Sequence, residues 1–178
     1  MERKSLPEIT PEISFEWRRF EQLSAQELYD VLRFRQDIFV VEQGSPYPDL
    51  DGLDQTARHL LLREAGVLGG YLRLAPMPGP PPSVSLGRVA LTAHLRGQGL
   101  GRILMKRALG LCRDEYPERL IVLRAQRHLV PFYVGFGFAV TSEPFDDFGV
   151  THVEMMLRGI DDASDAGINY NNLNAGRI

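Results

Sequence analysis

Ile13, Phe15 and Trp17 alternate with Ser14, Glu16 and Arg18, the two-residue period of a half-buried strand. Ser24-Ala25-Gln26-Glu27 is a capping box, with Leu23 and Leu28 placed as a hydrophobic staple. A helix is predicted from there to about Phe39, with Leu28, Val31 and Leu32 as its core face. Gly, Pro and Asp crowd residues 43–54 and predict a loop. Residues 59–63 and 67–74 flank Glu64-Ala65-Gly66 as the arms of a hairpin. The run from Pro76 to Pro82 reads as a stiff connector of polyproline character, excluded from helix and strand. Residues 84–91 form the next strand.

Residues 100–116 carry the strongest helical periodicity. Leu100, Ile103, Leu104, Ala108, Leu111 and Cys112 line one stripe, and Pro117 ends it. Leu120-Ile121-Val122-Leu123 is an unbroken apolar run, as in a strand buried on both faces. A short helix is expected near 128–135 with Pro131 in its first turn, then strands near 138–142 and 152–158. Residues 1–12 and 159–178 lack such periods and are expected to be a flexible N-terminus and a poorly ordered tail. The order β-α-ββ-β-α-β-α-ββ predicts one α/β domain at 13–158 with a mixed sheet.

One segment points to chemistry. A strand ends at Leu91, and Arg96-Gly97-Gln98-Gly99-Leu100-Gly101 leads at once into the periodic helix. Glycines there let backbone N–H groups approach a ligand with no Cβ between. A helix start carries unpaired N–H groups and partial positive charge, which together suit an anion, phosphate above all. Arg96 and Arg102 add formal charge on either side. A Walker loop is excluded, because the glycines lie too close and no Lys-Ser/Thr follows. A dinucleotide fold is excluded too: the spacing differs, and the next strand ends Leu123-Arg124-Ala125-Gln126 without an acid. What remains is a diphosphate over a single helix start, or a tight turn with no ligand.

The 178 residues suffice for one domain with a real core, burying roughly 70% of the unfolded surface. Hydrophobic residues at 44% and charged residues at 24% are the globular balance. A formal charge of −3 gives no reason to expect a nucleic-acid or anionic-membrane partner. A single cysteine, Cys112, excludes an internal disulfide and a multi-cysteine zinc site; on the helix stripe it reads as a buried inert thiol. No run approaches the length of a membrane span, and the N-terminus has no apolar signal run, so a cytoplasmic protein is expected. Asp49-x-Asp51-x-x-Asp54 lacks the spacing of a calcium loop and reads as a solvated acidic loop that could attract a cationic amine. His59 and His94 show no partner.

The glycine loop, following Gly87-Arg88-Val89-Ala90-Leu91, resembles the acyl-CoA loop of the GNAT N-acetyltransferases. Phe39-Val40-Val41-Glu42-Gln43, Asp51-Gly52-x-Asp54, Ala125-Gln126, Phe132-Tyr133-x-x-Phe136-Gly137-Phe138 and His152-Val153-Glu154-Met155 resemble the bacterial ElaA-type branch. The likeness spans roughly 13–158. The chain departs from that pattern at Asp147-Phe148-Gly149-Val150-Thr151-His152, with an inserted Phe and no Pro, and at Gly44-Ser45, where Cys is common.

The resemblance implies the GNAT acyl-CoA fold: a mixed, mostly antiparallel sheet splayed at its centre, with helices on both faces. It implies acetyl-CoA as co-substrate without a metal. The pantetheine arm would lie along Val89, Ala90 and Leu91. The diphosphate would sit on Arg96, Gly97, Gln98, Gly99, Leu100, Gly101 and Arg102, with Gln126 and Tyr133 nearby. Direct attack of an amine on the thioester needs an oxyanion donor, an acid and a base. Tyr133 matches the family's acid, a phenol of pKa ~10; without the resemblance it reads as a core tyrosine between Phe132 and Phe136. Glu42, His152 or a water chain ending at either is the base, and Glu154 shares a face with His152. The acceptor is a small-molecule or peptide amine, and the sequence decides nothing between monomer and homodimer. Two other functions stay open: a non-catalytic CoA-binding sensor or interaction module, and a binder of another diphosphate.

Overall fold

A computed structural model of the chain describes residues 12–157. The expected flexible N-terminus, apart from Glu12, and the expected tail lie outside the described residues. The described residues form eight strands and three α-helices, in the order β1 Ile13–Arg19, α1 Ala25–Arg35, β2 Arg58–Glu64, β3 Val67–Met77, β4 Ser83–Leu91, α2 Leu100–Glu115, β5 Leu120–Gln126, α3 Val130–Val134, β6 Ala139–Val140, β7 Phe145–Asp147 and β8 Val150–Leu157. They form one sheet ordered β1-β2-β3-β4-β5-β8-β6, with β7 also paired to β8. Only β4 and β5 run parallel. Among the described residues no helix is long and apolar enough to cross a membrane.

The local chemistry explains most boundaries. Ser24 Oγ accepts from the Glu27 amide while the Glu27 carboxylate accepts from the Ser24 amide, closing the capping box of α1. The helix does not stop at Phe39. It continues as π-helical turns over Gln36–Glu42, which carries Glu42 and Gln43 to the sheet's open end. Ala65 and Gly66, with φ of 48° and 82°, make the two-residue turn between β2 and β3. Positive φ at both positions is the turn that matches strand twist. Pro76 and Met77 are not part of the connector as expected: they pair with Val84 and Ser83 at the end of β3. β7, only three residues long, carries no period that marks it in the sequence.

Alternation on the strands builds two cores. Leu60, Leu62, Leu72, Leu74, Val84, Leu86, Ile121, Leu123, Val153 and Met155 point to one face, where α2 buries Leu104, Met105, Ala108, Leu109 and Cys112. Leu61, Tyr71 and Ala90 point to the other, under Val31, Phe34 and Ile38 of the first helix. The buried stripe of α2 is thus rotated from the one expected: Met105 and Leu109 join Leu104, Ala108 and Cys112, while Leu100, Ile103 and Leu111 are only half-buried. β5 corrects the expectation of a strand buried on both faces. Ile121, Leu123 and Ala125 are buried, while Val122, Arg124 and Gln126 face an open cleft.

Candidate active site

β4 and β5 pair only at Ser83–Leu120, Val84–Ile121 and Ser85–Val122. Beyond that point β4 runs on to Leu91 and β5 to Gln126 without facing each other. Their unpaired edges border a cleft of about 780 Å³. Gly87, Val89, Val122, Gln126, Tyr133 and His152 line it, and Gln126 Nε2 donates to Gln43 Oε1 at 3.0 Å. A parallel pair that opens in mid-sheet leaves backbone groups unsatisfied, so an open edge here is suited to an extended ligand.

The start of α2 follows the end of β4 across residues 92–99. Gly97 and Gly99 take φ of 75° and 81°, a region in which a Cβ costs about 1–2 kcal/mol. The amides of Gly97, Gln98, Gly99, Leu100 and Gly101 have no acceptor among the described residues; Arg102 is the first to bond back, to Gly99 O at 3.0 Å. Gly101 has a helical φ, and a Cβ on it would meet nothing closer than 3.8 Å. Nothing in the protein itself therefore requires glycine there. Five open amides beside a Cβ-free face fit a diphosphate.

The two arginines of this loop differ. Arg96 donates from Nε to Leu91 O at 2.9 Å, and its Nη1 lies 2.7 Å from Glu42 Oε1. Its charge is matched. Arg102 lies over the Phe136 ring, 4.9 Å from its centroid, with no acidic partner among the described residues, and supplies the surplus positive charge. The hydrogen bond from Arg96 holds the Glu42 carboxyl below the usual carboxylate range. Glu42 does not line the cleft.

Tyr133 comes from α3. Its ring packs edge-on against Phe132 and Phe138, at 5.1 and 6.2 Å between centroids. It is only 6% exposed, and burial pushes its phenol up to about 12. No hydrogen bond among the described residues engages its hydroxyl, and the residue lines the cleft. Tyr133 is thus a core ring that also borders the cleft.

His152 faces Gln126 across β5 and β8. Val150 O lies 2.8 Å from its Nδ1. A carbonyl only accepts, so Nδ1 carries the proton and the neutral ring keeps Nε2 as an acceptor. The ring stacks on Phe145 at 6.3 Å. Glu154 also lines the cleft, 3.8 Å from the Arg124 guanidinium.

The acidic loop corrects the sequence reading most sharply. Asp49 and Asp54 are buried. Arg35 reaches Asp49 Oδ2 at 2.8 Å and Asp54 Oδ1 at 2.7 Å; Arg73 reaches Asp51 Oδ1 at 2.7 Å and Asp54 Oδ1 at 2.9 Å; Arg88 reaches Asp49 Oδ1 at 2.7 Å and Asp51 Oδ2 at 3.1 Å. Three carboxylates meet three guanidiniums, so the loop has no surplus charge with which to attract an amine. His59 and His94 have partners after all: His59 Nδ1 lies 2.6 Å from the Tyr71 hydroxyl, and His94 Nε2 lies 2.7 Å from Glu64. The two departures from the family pattern touch each other, since Ser45 Oγ donates to Phe148 O at 3.0 Å. Cys112 is fully buried and its thiol is pushed up to about 12. Among the described residues no three His, Cys, Asp or Glu side chains gather as a metal site.

The fold and the sequence both have known counterparts. The family described as "Acetyltransferase (GNAT) domain" matches residues 23–158. A UPF0039 protein of Synechocystis is 38% identical over 148 residues, covering 83% of this chain and 96% of its own. Protein ElaA of Escherichia coli is 37% identical over 144 residues, 79% of this chain and 94% of its own. Its crystal structure superposes with a TM-score of 0.75, covering 82% of this chain and 99% of that one. The crystal structure of an acyl-CoA N-acyltransferase from Pseudomonas aeruginosa gives 0.76 at 35% identity, over 82% and 99% of the two chains. These matches agree with the fold and with each other, and the chain belongs to the GNAT acetyltransferase family, as a homologue of ElaA.

Proposed function

We propose that the protein transfers an acetyl group from acetyl-CoA to a primary amine by direct attack within a ternary complex. The observation that carries this reading is a row of open amides at 97–101, at the start of the helix that follows β4, together with a cleft along the unpaired edges of β4 and β5 that Tyr133 and His152 line. Family membership supports acyl-CoA-dependent transfer; the acetyl group and the amine are our reading. Bound acetyl-CoA supplies the activated thioester. The protein's own groups then have distinct tasks. The amides at 97–101 and Arg102 hold the diphosphate, and Arg96 keeps the loop in place through Leu91 and Glu42. The free edge at Val89, Ala90 and Leu91 orients the pantetheine arm, and an amide there stabilises the oxyanion.

Tyr133 is the acid. Burial keeps its phenol protonated throughout neutral pH, so a proton is always available to the departing thiolate. His152 is the better-placed base, because its Nε2 is free in the cleft while Glu42 is tied to Arg96. Holding the two substrates at contact distance can itself contribute several kcal/mol.

The test is free-thiol release from acetyl-CoA across an amine panel, with Tyr133→Phe beside wild type. Turnover in the variant should fall 10²-fold or more with the calorimetric Kd for acetyl-CoA within threefold. Undiminished turnover removes Tyr133 from the reaction; binding without turnover on any amine leaves a CoA-binding module. The pH profile of kcat/KM in His152→Ala and Glu42→Gln assigns the base, and we expect only the His152 variant to lose the limb that the base controls.

A further inference from the structure

Arg88 stands where a glycine is expected. Tyr71 pairs with Ala90, and Arg73 pairs with Gly87, so Leu72 alone faces both Arg88 and Val89. That is a β-bulge. Its first residue adopts φ of 56°, the left-handed conformation that such bulges ordinarily give to glycine. The neighbouring Gly87 is not the residue in that conformation. A non-glycine residue keeps it only where the surroundings over-determine it. The surroundings here are unusually complete. Arg88 donates from Nε to Asp49 Oδ1 at 2.7 Å and from Nη2 to Asp49 O at 2.8 Å and Asp51 Oδ2 at 3.1 Å, and its guanidinium lies 4.9 Å over the Tyr47 ring. Asp49 is itself held by the buried Arg35. The fork geometry of a guanidinium, unlike an ammonium, fits this set of acceptors.

The bulge lies immediately before Val89, Ala90 and Leu91 and just past the point where β4 leaves β5. A bulge bends its strand and increases its twist. We infer that Arg88 is a positioning residue: its clamp on Asp49, Asp51 and Tyr47 holds the bulge that turns the free edge of β4 toward the acyl-CoA arm. This rests on the acyl-CoA reading above. It also ties the loop at 45–54, which lines the same cleft, to the strand that receives the cofactor. Arg88 is then not a charge for the substrate, since its charge is matched, but the residue that holds the backbone.

The test compares Arg88→Ala, Arg88→Gly and Arg88→Lys by calorimetry with acetyl-CoA, with the thermal midpoint of each recorded. All three lose the clamp. Glycine adopts the left-handed conformation freely, whereas a Cβ disfavours it by about five- to thirtyfold. We expect Arg88→Ala and Arg88→Lys to bind acetyl-CoA at least tenfold more weakly than wild type, and Arg88→Gly to recover about fivefold or more of that loss. Equal loss in all three, or full affinity in Arg88→Ala, overturns the inference. Asp51→Asn, which removes one arm of the clamp at its outer side, serves if the Arg88 variants do not fold. It should weaken binding two- to fivefold, and unchanged affinity there counts against the proposal. Failure of the wild type to bind acetyl-CoA would instead strike the underlying reading, so the two failures are distinct.

Discussion

Arg35, Arg73 and Arg88 each meet two carboxylates of the loop that holds Asp49, Asp51 and Asp54, whereas the amides at 97–101, past the end of β4, meet no acceptor among the described residues. The first group is matched charge for charge and is buried apart from the partly exposed Asp51 and the half-buried Arg88. The second is exposed and unmatched. Burying a charge without a partner is costly enough that the first arrangement must be closed to be stable. Open donors at a helix start cost little while water reaches them, and they stay available. Satisfied charge in this molecule therefore builds the scaffold, and unsatisfied donors mark the site proposed for the ligand. The same contrast separates the two arginines of the glycine loop, with Arg96 matched by Glu42 and Arg102 left over.

The sharpest way to break that division is to remove one cation from each side. Arg35 is fully buried, and Arg35→Met leaves Asp49 and Asp54 each short of a partner. Such a loss costs about 3–5 kcal/mol, read as a drop in the urea midpoint at neutral pH. Arg102→Met loses only a contact with the Phe136 ring, less than about 1 kcal/mol, but should weaken acetyl-CoA binding several-fold. If both variants lose the same stability, the buried cluster is not what holds the loop at 45–54 in place.

How much of this was legible beforehand follows the same line. The capping box, the hairpin turn, the α2 stripe and the glycine turn are local signals, written within a few residues, and the sequence carries them openly. The Arg–Asp cluster is not local. Arg35 and Asp49 lie 14 residues apart and Arg88 and Asp49 lie 39 apart, so an acidic run in a Pro- and Gly-rich segment looks solvated until the fold brings cations to it. The apolar run of β5 reads the same whether its second face meets protein or an open cleft. The left-handed Arg88 runs against propensity, which would assign that conformation to Gly87. The role proposed for Tyr133 rests on the family likeness, because a buried tyrosine between phenylalanines has no local mark of chemistry. The open amides at 97–101 needed nothing beyond glycine spacing and the start of a periodic helix.

Gly101 and Gly99 sharpen the comparison within the open site. Gly99 needs its positive φ, so Gly99→Ala should lose about 1–2 kcal/mol of stability. Gly101 has no such need and room for a Cβ. Gly101→Ala should therefore raise stability, by up to about 1 kcal/mol, while it lowers acetyl-CoA affinity tenfold or more by standing between ligand and backbone. Opposite signs in the two measurements are the signature of a glycine kept for binding. A Gly101→Ala protein that binds acetyl-CoA as wild type does would move the diphosphate elsewhere.

The smallest effect is titratable and probes the matched side. Hydrogen bonds and charge from Arg73 and Arg88 overcome burial and hold the Asp51 carboxyl at about 2, below its ordinary 3.8. A carboxylate with a depressed folded-state pKa stabilises the fold fully above its unfolded value and loses that contribution as pH falls through the folded one. Asp51 should thus leave stability unchanged down to about pH 4 and withdraw its share between about pH 4 and 2. Its partial exposure limits the share to about 1 kcal/mol. Asp51→Asn, compared with wild type by urea denaturation at pH 6 and again at the lowest pH where both still fold, should close part of the gap between them as the pH falls. A gap that stays constant would mean that Asp51 acts by shape and hydrogen bonding alone, and that the charge matching in the Arg–Asp cluster rests on Asp49 and Asp54.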